Sequence, residues 1–156
     1  MVGRLQQEIQ QTKPFASVEQ EVFLNLQRTA EVLLQGLVER LKPAGLSPSQ
    51  YNVLRILRGA GREGLACRQV SERMVTRDPD MTRLLDRLEE RGLVSRSRQP
   101  GDRRVVKTRI TAAGQRLLKQ LDQPIAALHE QQLGHLKDKH LRDLVDLLER
   151  AREGIA

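Results

Sequence analysis

The stretch Ser95–Thr111, SRSRQPGDRRVVKTRIT, constrains this chain more than any other. Two β-compatible runs, Leu93–Gln99 and Val105–Ile110, flank a Pro100-Gly101-Asp102 break, a pattern that predicts a hairpin turning at Gly101-Asp102. The hairpin carries Arg96, Arg98, Arg103, Arg104, Lys107 and Arg109 against a single acid, Asp102, and contains no aromatic. A short ribbon of that charge density is suited to lie on a polyanion.

The charge is localised. The formal excess is +7, and from Ser47 to Gly114 there are 15 basic and 8 acidic residues. The flanking segments together hold 12 of each, so the whole excess sits in the middle of the chain. That distribution is the footprint of a nucleic-acid surface rather than of general solubility. Fourteen of the 15 bases are Arg, whose planar fork matches phosphate oxygens and guanine edges. Phe15, Phe23 and Tyr51 are the only aromatics, which argues against single-stranded RNA and its need for stacking platforms. It also leaves the core to Leu, Val, Ile and Ala, a composition suited to helix packing.

Helix signals surround the basic hairpin. Residues 1–13 are polar and Gln-rich, an arm or frayed helix with Leu5 and Ile9 as weak apolar points. Ser17-Val18-Glu19-Gln20 is a capping box. From there Val18, Val22, Phe23, Leu26, Ala30, Leu33, Leu34, Leu37 and Leu41 keep helical spacing up to Pro43 and Gly45. Ser47-Pro48 opens a second helix with Tyr51, Val53, Leu54 and Leu57 inward, stopped by Gly59 and Gly61. A short helix covers Cys67 to Met74, burying Val70 and Met74. The next is expected to begin at Asp78-Pro79, with Met81, Leu84, Leu85 and Leu88 as its inner face, and to end at Gly92. After the hairpin, Thr111 caps a helix through Leu117, Leu118, Leu121, Ile125 and Leu128, with a kink expected at Pro124 and an end at Gly134. Asp138 opens a last helix with Leu141, Leu144, Val145, Leu147 and Leu148 apolar.

Helix, helix, basic hairpin is the order of a winged helix-turn-helix. The expected fold is mainly α with a small β-hairpin wing: an N-terminal helix in 1–45, a winged module in 46–114, and C-terminal helices in 115–156. The outer segments are neutral and leucine-rich. Their stripes suit pairing with a second copy, and a homodimer would set two basic modules side by side on a pseudo-palindromic duplex.

Within this arrangement the stretch from Leu46 to Leu118 resembles the MarR (multiple antibiotic resistance regulator) transcription factors. The matching pieces are LSPSQYNVLRIL, LACRQVSERM, MTRLLDRLEERGLV and GDRRVVKTRITAAGQRLL. The Asp102-Arg103-Arg104 tip followed by Thr111-Ala112-Ala113-Gly114 is the most specific part. The resemblance implies a homodimeric regulator, usually a repressor, whose hold on double-stranded DNA often falls when a small phenolic or lipophilic ligand binds. It also implies that Arg104, two residues after the acid, enters the minor groove, with Asp102 orienting it by a charge-assisted hydrogen bond.

The first residues of a recognition helix meet the major groove, so Thr76, Arg77, Thr82 and Arg83 are the expected base or phosphate readers, with Arg87 on the same exposed face. Asp80 complements the helix start and could hold Arg83 in register. Arg98, Arg103 and Lys107 are the expected phosphate contacts of the wing. The competing reading of these charges is a solvated face on an interaction module without ligand response.

Other chemistry finds little support. Cys67 begins a short helix, where a dipole favours thiolate and redox sensing, but it also suits packing as a small hydrophobe. A nucleophilic role would need an activating base, and His129, His135 and His140 all lie far along the chain. Spaced by six and five residues, no two of them share a helix face as metal ligands would. The reading is therefore of a binding protein, not an enzyme, with no metal and no cofactor. With one cysteine, no apolar run of membrane length and no secretory signal, the cytoplasm is the expected compartment.

Overall fold

A computed structural model describes residues 3–155, so Met1, Val2 and Ala156, at the ends of the expected outer segments, lie outside the described residues. The element order is α1 (Arg4–Glu8), α2 (Val18–Leu41), α3 (Pro48–Ala60), β1 (Leu65–Ala66), α4 (Cys67–Arg73), α5 (Met81–Glu90), β2 (Val94–Gln99), β3 (Asp102–Ile110), α6 (Ala112–Leu133) and α7 (Asp138–Glu153). Short 3-10 turns at Lys42–Ala44 and Gly61–Glu63 close α2 and α3.

Local chemistry sets most helix starts. The hydroxyls of Ser17, Ser47 and Thr111 accept the backbone N–H of Gln20, Gln50 and Gly114, each satisfying a donor the helix leaves free. Gln50 returns the favour by accepting the Ser47 N–H, completing a capping box. Helix α6 runs on past Pro124 to Leu133, and Gly59 lies inside α3 rather than ending it.

The start of α5 differs from expectation. Asp78-Pro79 does not open the helix; Asp80 caps it and Met81 is its first residue. The reason is a competing local bond: Asp78 Oδ1 accepts the Asp80 N–H at 2.9 Å, an Asx turn that holds the Pro79 segment outside the helix. Starting at Met81 puts Met81, Leu84, Leu85 and Leu88 on one buried face.

The sheet is three-stranded and antiparallel in the order β1-β3-β2. Strand β1 adds Leu65↔Thr108 and Ala66↔Lys107 to the hairpin. The hairpin turn is Pro100-Gly101, one residue earlier than expected, because Gln99 pairs directly with Asp102.

One core joins these pieces. Leu54, Leu57, Val53 and Tyr51 from α3 meet Val70, Leu85, Leu88, Leu93 and Val94, and Leu118, Leu121 and Ile125 of α6 close the layer. Helix α2 contributes Leu41 and packs on α6, where Gln132 Nε2 donates to Leu33 O at 3.0 Å. Leu33 and Leu37 are half-buried, while Val18, Phe23 and Val32 are more than half exposed. Helix α7 buries none of its residues, and Leu144, Val145 and Leu147 are exposed. Within one chain α2 therefore packs on α6, while no residue of α7 is fully buried.

Candidate nucleic-acid interface

The cations expected to meet DNA lie on two elements, α5 with the turn before it and the β2–β3 wing, while Arg55, Arg62, Arg68 and Arg73 are exposed elsewhere on the basic module. Thr76 and Arg77 lie in the exposed segment between α4 and α5. Asn52 of α3 fixes its position by accepting the Val75 N–H through Oδ1 at 2.9 Å. Sequence reasoning missed Asn52, since the bond joins residues 23 apart and no local signal marks it. Thr82, Arg83 and Arg87 are exposed on α5, opposite its buried face. Arg83 and Arg87 share a shallow cleft with Ser47, Gln50, Asp78 and Asp80 at the N-termini of α3 and α5. Asp80 holds the Arg83 backbone, accepting its N–H at 3.1 Å, and forms no ion pair with its guanidinium.

The wing tip has a geometry that alternation of residues did not foretell. The ladder is regular from Val94↔Ile110 to Arg98↔Val106 and then shifts, so that Gln99 pairs with Asp102. Arg103, Arg104 and Val105 are left as a bulge in β3 with no opposing residue. A bulge re-aims side chains and frees backbone groups that need other partners. Here the wing supplies two of them itself. Asp102 Oδ1 accepts the Arg104 N–H at 3.0 Å, and Arg98 Nη1 donates to Arg103 O at 2.9 Å. The Arg103 and Arg104 side chains are exposed and make no ion pair among the described residues.

This corrects the role expected for Asp102. Its carboxylate takes the backbone of Arg104, not the guanidinium, because the bulge leaves that N–H unpaired. Arg98, expected as a phosphate contact, spends one nitrogen on holding the same loop. Lys107 is half-buried in the middle of the sheet, between β1 and β2 partners.

Besides Arg98, two more of the six hairpin cations are tied down. The Arg96 guanidinium donates to Asp86 and, at 3.0 Å, to Glu89, both on α5; Glu89 also accepts the Arg96 N–H at 3.0 Å. That bracket fixes the first wing strand against α5, and it holds the Glu89 carboxyl below the usual carboxylate range. Arg109 donates to Arg62 O and Ser97 Oγ at 2.8 and 2.7 Å. A second bracket joins α3 to α6: Arg58 grips Asp122 with two bonds of 2.9 and 3.0 Å and holds its carboxyl down. Asp86 and Glu89 are the acids of α5 that pair with Arg96, and Glu90 forms no ion pair among the described residues.

Cys67 is half-buried against the core and forms no disulfide. The three aromatics occupy separate environments. Tyr51 is in the core, Phe23 is exposed on α2, and Phe15 lines a surface hollow with Gln6, Pro14 and Val18. They do not converge on a ligand cavity within one chain. Among the described residues no helix is long and apolar enough to cross a membrane.

The likeness to known proteins is consistent with this geometry. The MarR family model matches residues 46–106, from the start of α3 to the middle of β3. Among solved structures, the chain is 45% identical to a MarR transcription factor from Planctomyces limnophilus, covering 86% of this chain and 98% of that one with a TM-score of 0.68. It is 29% identical to CouR from Rhodococcus jostii RHA1, solved bound to p-coumaroyl-CoA, over 86% of this chain and 94% of that one, with a TM-score of 0.72. A mutant MarR from E. coli complexed with operator DNA is 25% identical, over 81% of this chain and 89% of that one, with a TM-score of 0.74. With 45% identity across nearly the whole of a MarR transcription factor, and with the winged module in place, the chain belongs to the MarR family of transcriptional regulators.

Proposed function

We propose that this protein is a cytoplasmic homodimer that binds pseudo-palindromic duplex DNA and represses transcription until a small phenolic or lipophilic ligand releases it. Residues 46–114 form the DNA-binding module, and the outer segments 1–45 and 115–156 form the dimer layer. The N-terminal part of α5 enters the major groove, where Thr76, Arg77, Thr82, Arg83 and Arg87 meet base edges and phosphates. The wing tip lies along the adjacent minor groove with Arg104 inserted, while Arg103, Arg98 and Lys107 face phosphates. Asp102 acts through the Arg104 backbone.

The observation that carries this reading is the bulge at the wing tip. It leaves Arg103 and Arg104 exposed while Asp102 and Arg98 hold their backbone, and neither guanidinium has an ion-pair partner among the described residues, so both remain available to an outside anion. The exposed apolar stripes of α2 and α7 support the dimer. The protein acts by binding rather than by catalysis, and the relatives solved with operator DNA and with p-coumaroyl-CoA motivate the two ligand classes. Selection of bound sequences from a random duplex pool by the purified protein tests the reading. Enrichment of an inverted repeat with half-sites about one helical turn apart supports it. Equal retention of single-stranded RNA would favour an interaction module instead.

A further inference from the structure

Beyond the core they share, the C-terminal end of α5 is hydrogen-bonded to the turn after α2 through one side chain. Both ends stop in the same way. At the end of α5, Gly92 N–H bonds to Glu89 O and Leu93 N–H to Leu88 O, with Gly92 at φ +69°. After α2, Gly45 N–H bonds to Lys42 O and Leu46 N–H to Leu41 O, with Gly45 at φ +65°. These are two Schellman turns, each locking its backbone by paired hydrogen bonds around a left-handed glycine.

Arg91 is the capping residue of the first turn. Its guanidinium donates through Nη1 to Gly45 O and through Nη2 to Ala44 O, both at 2.8 Å. The acceptors belong to the second turn, 46 and 47 residues away in sequence. Two parallel bonds from a planar fork fix orientation as well as distance. The cation also sits where the negative ends of two helix dipoles meet. At both ends of the contact the backbone is held rigid by its own turn, so the link has little slack. Leu46 and Ser47 follow directly, and the Ser47 capping box carries the rigid path into α3.

We propose that Arg91 is a positioning residue that sets the angle between the reading helix and the dimer helix, and thereby the half-site spacing the dimer accepts. This rests on the dimeric DNA-binding reading above. Helix α2 carries the exposed stripe assigned to the second copy, and α5 carries the exposed cations. A change in the angle between them moves the two reading helices of a dimer relative to each other. One added base pair between half-sites shifts them by about 3.4 Å and turns them by about 35°. Only a dimer with a fixed angle discriminates sharply against that change. Arg91 lies at the opposite end of α5 from Thr82 and Arg83, so its effect on binding is indirect.

The test measures dissociation constants for Arg91→Ala, Arg91→Lys and the wild type. The probes are the duplex selected by the wild type from a random pool, its variants with one or two base pairs inserted or removed at the centre, and an isolated half-site. Thermal melting is recorded alongside. The proposal expects the wild type to prefer its selected spacing by at least about tenfold, a difference of about 1.4 kcal/mol. Arg91→Ala should shrink that preference to within about threefold while leaving half-site affinity unchanged. Arg91→Lys, which keeps the charge without the fork, should fall between. If Arg91→Ala does not fold, the Arg91→Lys spacing profile decides. An equal loss at every spacing, or an unchanged profile, overturns the proposal. Wild-type protein that binds no duplex at all overturns the DNA-binding reading, and the spacing role with it, and is read from the wild-type titrations alone.

Discussion

Replacing Arg96 by methionine should loosen the wing from α5 by an amount that depends on pH. The Arg96 side chain is 24% exposed, and its partners Asp86 and Glu89 are 48% and 40% exposed. Half-exposed carboxylates keep much of their hydration, so each contact is worth about 0.5–1 kcal/mol, the upper part of the range for surface pairs. Asp86 and Glu89 are then left three residues apart on one helix face, which adds about 0.2–0.5 kcal/mol of repulsion. Methionine keeps most of the side chain's length and packing, so the expected loss is about 1–2.5 kcal/mol, or about 3–8 °C in Tm for a chain of this size. Glu89 titrates lower in the folded state because of Arg96. A depressed folded pKa stabilises the fold above the unfolded value, about 4.3, and that stability is lost as pH falls through the folded one. The gap between wild type and Arg96→Met, followed by circular dichroism, should therefore be full at about pH 7 and shrink as the pH falls below the unfolded value of about 4.3. The same gap on both sides of that value, or none near neutrality, would refute the ionic bracket.

Three further outcomes follow from the packing. Leu88 is fully buried under α5, so Leu88→Ala should cost about 2–5 kcal/mol in urea unfolding, and a loss under about 1 kcal/mol would show that the site collapses around the cavity. At Gly64, φ is +66° and an added Cβ would lie 2.5 Å from Thr108 O, so Gly64→Ala should cost at least about 1–3 kcal/mol through strain at the β1–β3 contact; an unchanged Tm would contradict that. Deleting residues 138–156 removes a helix with no fully buried residue, so helicity elsewhere should survive while the dimer is lost; a truncated protein still sedimenting as a dimer would contradict the role given to α7.

What was legible in the sequence is what short-range chemistry decides. The caps at Ser17, Ser47 and Thr111 each need only the next three residues, and the inner faces of α3 and α5 follow from apolar spacing alone. The start of α5 was ambiguous because Asp78 and Asp80 are both competent caps, and the Asx turn at Asp78 settles the competition. Strand β1 is two residues long and exists only by pairing with β3, so no local run announces it. The wing bulge is equally invisible: Val105 and Val106 read as a continuous strand, and only the cross-strand register shows that Arg103 and Arg104 fall outside the ladder. Counting the hairpin's charge found the surface but not which cations face outward. Arg96 and Arg109 are bound by groups on other elements, and Arg91 joins residues nearly fifty positions apart.

The most direct test of the central claim, that the exposed arginines of α5 and the wing tip hold duplex DNA, is the salt dependence of binding. Wild type and the double variant Arg103→Ala/Arg104→Ala would be titrated with the selected duplex over a range of salt concentrations. Each neutralised phosphate contributes about −0.9 to the slope of log K against log salt. A dimer with several such contacts per wing and helix should show a slope of about −5 or steeper, and the double variant should flatten it by about 2–4. A wild-type slope near zero, or one that the double variant leaves unchanged, would contradict the account.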